Sequence, residues 1–161
     1  MRKIALVILS LIISVSSFAK HKHKKSQPAS NIESVSMRRT ACYGHCPVYT
    51  IEIDKNGTAT YTATLFNADT GTFTKNIGSK KVMDIFNQFN TYRVDTCQNA
   101  YKPRATDLPG VMFTIHYTNN TKTIMNVNYG PAFLKQLIEV MDSIVGKKTD
   151  NTWQKITPPH N

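Results

Sequence analysis

The sequence predicts an α+β domain in which an antiparallel sheet carries two helices packed on one face. Three observations lead to this prediction. Several segments alternate apolar and polar residues with the period of two that a half-buried strand shows. Two other segments repeat apolar residues at helical spacing. Strong turn signals separate neighbouring strands, so each strand pairs with the next and the helices cover the sheet.

Six strands are predicted from this alternation. Asn56-Gly57 indicates a tight hairpin, because both residue types tolerate the positive φ that such a turn requires. Asn119-Asn120 marks a second turn of this kind. The alternating segments are residues 32–40, 48–53, 58–65, 70–77, 111–118 and 121–127.

Two amphipathic helices follow the strand groups. Ser79 is the predicted N-cap of the first helix. Pro131 suits the first turn of the second helix, and Gly146 is suited to end it. The apolar faces contain Val82, Ile85, Phe86 and Phe89 in the first helix and Phe133, Leu134, Leu137, Ile138, Met141, Ile144 and Val145 in the second.

A short sequence repeat suggests how the domain is organised. Val48-Tyr49-Thr50-Ile51 is echoed by Met112-Phe113-Thr114-Ile115, and each segment enters a hairpin that an amphipathic helix follows later. This pattern allows two strand-hairpin-helix halves. Between them, residues 92–110 form a long predicted loop that contains Pro103 and Pro109. Loops of this length are usually functional or cover part of the fold.

The first nineteen residues are predicted to be a secretory signal peptide. Arg2 and Lys3 precede an apolar stretch, and Ser17-Phe18-Ala19 places small residues where signal peptidase cleaves. The apolar stretch is too short to span ~30 Å of hydrocarbon. We therefore expect a periplasmic or secreted mature chain without a transmembrane segment. The predicted organisation is a signal peptide (1–19), a basic Lys/His-rich linker (20–31), one domain (32–156) and a flexible tail (157–161).

The positive charge is concentrated near the N-terminus. The whole chain carries a formal charge of +10, whereas from Ser26 onward 14 Lys and Arg face 10 Asp and Glu, which leaves +4. Such a mildly basic domain gives weak support for a polyanionic partner, and export disfavours nucleic acid. The run 20–25 allows a solvated leader, contact with anionic headgroups, or weak metal binding by His21 and His23.

Three cysteines leave an odd thiol in an exported chain. In a straight strand Cys42 and Cys46 would lie ~13 Å apart, so a disulfide between them needs a turn, which Tyr43-Gly44-His45 can supply. A bridge from Cys97 to either partner closes a much longer loop. The chain-entropy model gives ~4 kcal/mol for the long bridge and ~2 kcal/mol for the short one. Sequence proximity thus favours the Cys42–Cys46 pairing, and chain entropy favours a bridge from Cys97.

Other chemistry at these residues is also open. Cys42, His45 and Cys46, together with Cys97 or His116, are possible ligands for zinc or copper. The same pair is a candidate for thiol–disulfide exchange, although redox motifs normally place two residues between the cysteines. A cysteine nucleophile with His45 or His116 is a third alternative.

A second candidate site lies in the long loop. Asp95, Arg104 and Asp107 are candidates to line a cleft, although the sequence favours their interpretation as solvated loop charges and caps. A hydrolase would need a deep pocket around these carboxylates. The sequence contains no phosphate-binding glycine loop, zinc-protease helix motif or serine-hydrolase elbow, and no cofactor is predicted.

The chain resembles a family of exported bacterial proteins that carry domain of unknown function 6438. The resemblance rests on Arg39-x-x-Cys42-x-Gly44-x-Cys46-Pro47-x-Tyr49, followed by Asp54-x-x-Gly57, Tyr61, Tyr101 and Asp107-x-Pro109. It implies an envelope location and a single domain, and no activity. Cys97 does not match a position of this pattern, which supports a Cys42–Cys46 disulfide and leaves Cys97 as the odd thiol.

The sequence therefore favours a non-catalytic exported module with a structural disulfide. Its predicted partner is a protein, a peptide or a component of the cell envelope. An apolar or aromatic patch on the open face of the sheet would support this hypothesis, and a uniformly charged face would count against it. The alternative is a redox or metal-handling envelope protein that uses Cys42, His45 and Cys46.

Overall fold

A computed structural model describes residues 31–103, 108–146 and 150–156 of the chain. Over these residues the fold is α+β, with one open sheet of eight strands and two helices. The strands are β1 (Ile32–Arg39), β2 (Val48–Asp54), β3 (Thr58–Leu65), β4 (Gly71–Asn76), β5 (Ala100–Tyr101), β6 (Val111–Tyr117), β7 (Thr121–Asn126) and β8 (Gln154–Ile156). The helices are α1 (Ser79–Thr91) and α2 (Ala132–Val145), with a short 3₁₀ turn at Val94–Thr96.

The strand order in the sheet is β5-β7-β6-β1-β2-β3-β4-β8. All neighbouring pairs are antiparallel except β5 and β7, which are parallel. The sheet is therefore mixed, whereas the sequence predicted an antiparallel sheet. The first part of the domain contributes four successive strands before α1, and the second contributes the β6–β7 hairpin before α2. The prediction of two matching halves is therefore not confirmed in detail.

The core lies between one face of the sheet and the two helices. Odd-numbered residues of the central strands point to this face, and Met37 is paired on either side with Ile51 and Phe113. Phe89 of α1 meets Phe113 edge to face, with ring centroids 5.6 Å apart. The predicted apolar faces of both helices are buried except at Phe133, which is partly buried. Burial of this apolar surface is the main stabilising term of the fold.

The helix ends show where local signals and structure differ. Gly78, and not Ser79, is the N-cap of α1, and the Asn76 carboxamide accepts the Gly78 N–H at 2.8 Å. Gly146 ends α2 as predicted, with φ +74 and its N–H bonded to the Asp142 carbonyl at 3.0 Å. This positive φ suits glycine and stops the helix just after Asp142.

Two edge strands extend the predicted sheet. β5 lies within the segment that the sequence suggested to be a loop, and β8 pairs with β4 after α2. Trp153, just before β8, is buried and lies against Tyr61, with ring centroids 5.9 Å apart. Within the described ranges, no helix combines the length and the apolar character that a membrane crossing requires.

Candidate functional site

A cleft of about 540 Å³ opens on the helix side of the sheet, where β1 ends and β2 begins. We call it the β1–β2 cleft. Its lining comes from four places: the ends of β1 and β2 with their connection, the loop after β3, Pro109-Gly110, and the C-terminal end of α2. Its size lies within the range that small-ligand sites occupy.

Three side chains form a hydrogen-bonded network in this cleft. The Arg39 guanidinium makes a bidentate ion pair with Asp142, in which Nε donates to Oδ1 at 3.2 Å and the second bond runs to Oδ2. Arg39 Nε also donates to the Tyr49 hydroxyl at 3.0 Å. That hydroxyl in turn donates to Asp142 Oδ1. β1, β2 and α2 are therefore tied together at one point.

Tyr49 and Arg39 both stay protonated in this network, because the pKa of each is raised. Burial and the hydrogen bond to Asp142 raise the pKa of Tyr49 well above its usual range, and the bond to Asp142 raises the pKa of Arg39. Asp142 lies in the last turn of α2, where the helix dipole disfavours a negative charge and where the helix has no basic residue to offset it. Arg39 supplies that missing cation from the neighbouring strand.

The β1–β2 connection is closed by a disulfide bond between Cys42 and Cys46. Gly44 has φ +148 and donates its N–H to the Cys42 carbonyl at 2.9 Å, and this turn brings the two Cα atoms to 5.8 Å. The bond leaves Cys46 and Pro47 on the cleft wall. The pairing that the family resemblance implied is therefore present, made possible by the glycine turn.

The loop after β3 forms the opposite wall. Phe66 has φ +55, a conformation that bulky residues rarely adopt. The Asn67 carboxamide supports this turn by donating to the carbonyls of Val48 and Leu65 at 2.8 and 2.7 Å. Its Oδ1 accepts the hydroxyl of Tyr61 at 3.3 Å. Burial, with a smaller contribution from nearby Asp69, raises the pKa of Tyr61, so this hydroxyl is a donor at neutral pH.

A smaller hollow of about 250 Å³ adjoins the cleft. Both share Arg39, Asp142, Pro109 and Gly110, so the Arg39–Asp142 pair lies between them. The hollow continues toward Asn126 and Glu139 of the β7 and α2 region.

The open face of the sheet has a different character. One row of paired residues crosses seven strands and consists mainly of hydroxyl side chains. The row is Thr123, Thr114, Ser36, Glu52, Thr60, Thr74 and Gln154. This row is neither apolar nor uniformly charged, so it neither supports nor opposes the binding hypothesis.

Cys97, His45 and His116 have separate surroundings in the structure. Cys97 is a free, half-buried thiol. His45 packs its ring against Phe66, with centroids 4.8 Å apart, and His116 shares a hydrogen bond with Thr121 at 3.0 Å on the open face. In the part of the chain that the structure describes, no three potential metal ligands come together. A metal set of Cys42, His45 and Cys46 would first require reduction of the disulfide.

Of the three residues proposed for a cleft in the long loop, the structure describes only Asp95. Asp95 pairs with Arg93 through two hydrogen bonds of 3.1 Å, which lower the pKa of Asp95, and it is absent from the lining of the β1–β2 cleft. Arg104 and Asp107 lie outside the described residues. The sequence analysis did not single out Asp142. Its position in the last turn of a predicted helix was a usable signal, because an acidic residue is unfavourable there and needs a cationic partner.

Several residues that carry the family resemblance meet at this cleft, among them Arg39, Cys46, Pro47, Tyr49, Tyr61 and Pro109. No curated protein matches the chain. The family profile described as Domain of unknown function (DUF6438) matches residues 33–145, which run from β1 to the last residue of α2. Since this match covers well over half of the sequence, the chain belongs to the DUF6438 family.

Proposed function

We propose that the protein is an exported, non-catalytic binding module whose ligand occupies the β1–β2 cleft. The observation that carries this proposal is the prearranged Arg39–Tyr49–Asp142 network inside a ligand-sized cavity. The polar side chains of the cleft bond one another, so they fix its shape. A binding site whose groups are already held in place loses little conformational entropy when the ligand arrives.

Blocking the cleft tests the proposal. Ala68 is an exposed residue of the cleft wall, so Ala68→Trp fills the cavity without touching the network. Fragments from a library of small molecules that bind the protein in ligand-observed NMR are expected to lose binding to this variant. Ala100→Trp on edge strand β5 is the matched control and should keep them. Equal binding of the fragments by both variants would contradict a ligand site in the cleft, and so would the absence of any fragment, peptide or oligosaccharide that binds the protein.

Export is the second part of the proposal. The leader pattern of residues 1–19 supports it, and so does the Cys42–Cys46 bond, because disulfides persist in oxidising compartments. Intact mass of the protein secreted from a bacterial host with its own leader is expected to show a chain that begins at Lys20. Alkylation should label Cys97 alone. A mass that retains Met1–Ala19, or three alkylated cysteines, would count against export.

A further inference from the structure

We infer that the ligand of the β1–β2 cleft is a polypeptide segment that inserts an apolar or aromatic side chain between the rim residues. This inference rests on the proposed function and names the chemistry of the partner. It is carried by three features of the cleft: an exposed apolar rim, walls that are already fixed, and polar groups that are already paired.

Four large exposed apolar side chains belong to the segments that line the cleft or directly adjoin its lining residues in sequence. Tyr43 is 94% exposed at the tip of the disulfide loop, and Phe66 is 51% exposed on the facing wall. Leu65 and Leu108, next in sequence to lining residues Phe66 and Pro109, are also exposed. We call these four residues the rim. Exposed apolar clusters around a cavity mark protein interaction sites, and aromatic residues at such places contribute most of the binding energy.

The rim is held in position before any partner binds. The disulfide closes the loop that presents Tyr43, and Asn67 fixes the turn that presents Phe66. His45 packs against the Phe66 ring and joins the two walls. Rigid aromatic residues bind with a small entropic cost, which is how many protein-binding loops achieve affinity.

The charges of the cleft favour an apolar or basic segment. Arg39 is the one cation among the described lining residues, and Asp142 already holds it in a bidentate pair. Asp69 and Asp142 contribute carboxylates to the same lining. An anionic ligand would have to displace Asp142 and approach two carboxylates, so the electrostatics oppose it.

The paired polar groups also argue against a glycan. Asn67 uses both its amide donors and its carbonyl within the fold, and Tyr49 both donates and accepts. A sugar buried here would leave many of its hydroxyl groups unpaired, and each such group costs free energy. An apolar side chain makes no such demand, and the adjoining hollow offers space for a neighbouring part of the peptide.

A random peptide library displayed on phage tests the inference on the purified protein with its disulfide intact. Selected peptides are expected to share an apolar or aromatic residue and to lack acidic ones. Synthetic copies should bind in solution, and Tyr43→Ala or Phe66→Ala should weaken binding about fivefold or more, as truncation of a hot-spot side chain does. Met83→Ala is the matched control, because Met83 is 59% exposed on α1 and outside the lining of the cleft.

Each result is decisive. Selected peptides that bind equally well to the rim variants and to Met83→Ala would overturn the inference. If no peptide is selected and a panel of neutral oligosaccharides binds in a manner that Ala68→Trp abolishes, the polypeptide inference fails and the proposed function stands. If peptides and oligosaccharides both fail, and Ala68→Trp changes no fragment binding, the proposed function fails as well.

Discussion

Asp142→Ala is expected to lower the free energy of unfolding by ~2 kcal/mol and to weaken ligand binding about tenfold or more. The side chains of Arg39 and Asp142 are 34% and 31% exposed, so the pair lies between a surface ion pair, worth ~0–1 kcal/mol, and a buried one, whose disruption costs ~3–5 kcal/mol. The variant leaves the Arg39 guanidinium half-buried without its partner. Relief of the unfavourable helix dipole offsets part of this loss.

Two measurements check this prediction. Urea denaturation gives the stability, and titration with a peptide or fragment that binds the wild type gives the affinity. Asp84→Ala is the control, because Asp84 forms an exposed i,i+4 pair with Lys80 on α1, and its loss should cost less than ~0.5 kcal/mol. A variant Asp142→Ala that matches Asp84→Ala in both measurements would show that the network neither ties the elements together nor shapes the cleft.

Removal of the disulfide in Cys42→Ala/Cys46→Ala is expected to weaken ligand binding strongly while it lowers stability by no more than ~2 kcal/mol. The loop that the bond closes is short, so in the chain-entropy model the bond constrains the unfolded chain only slightly. The bond fixes the wall that contains Cys46 and Pro47, and with it the loop that carries Tyr43. Its expected role is therefore to shape the site.

Reduction of the wild-type protein tests whether loss of the disulfide bond itself causes both effects. Wild-type protein treated with dithiothreitol should match the double variant in stability and in affinity, and Cys97→Ala serves as the control for the remaining thiol. Global unfolding on reduction would mean that the bond holds the fold itself together. Unchanged binding by the double variant would mean that the loop plays no part in the site.

The strands and helices of the core were predictable because each is long enough for its apolar residues to show a recognisable period. The alternation through Val35 and Met37 in β1 fixes which side faces the core, and the apolar stripe of α2 can be buried only against that side. Strands β5 and β8 were not predictable. With two and three residues they have too little local pattern, and they depend on pairing with β7 and β4.

The candidate site was predictable in part. The run from Arg39 to Tyr49 drew attention because of its cysteines, its glycine and its proline, and the glycine turn explained how the cysteines meet. Asp142 lies 103 residues from Arg39 in the sequence. The apolar periodicity of α2 identifies the buried side of the helix and gives no partner for its polar residues. Local periodicity does not indicate which distant charged residue lies next to the end of a strand. The Arg39–Asp142 ion pair could therefore be identified only from the tertiary structure.

The claim that the β1–β2 cleft is the binding site is tested most directly by amide chemical-shift mapping. ¹⁵N-labelled protein would be titrated with the small-molecule fragments that bind it. We expect the perturbed amides to cluster in residues 39–49, 66–69, 109–110 and 142–146, which contain most of the lining of the cleft. Perturbations that fall instead on the open face, around Ser36, Thr60 and Thr114, would contradict it.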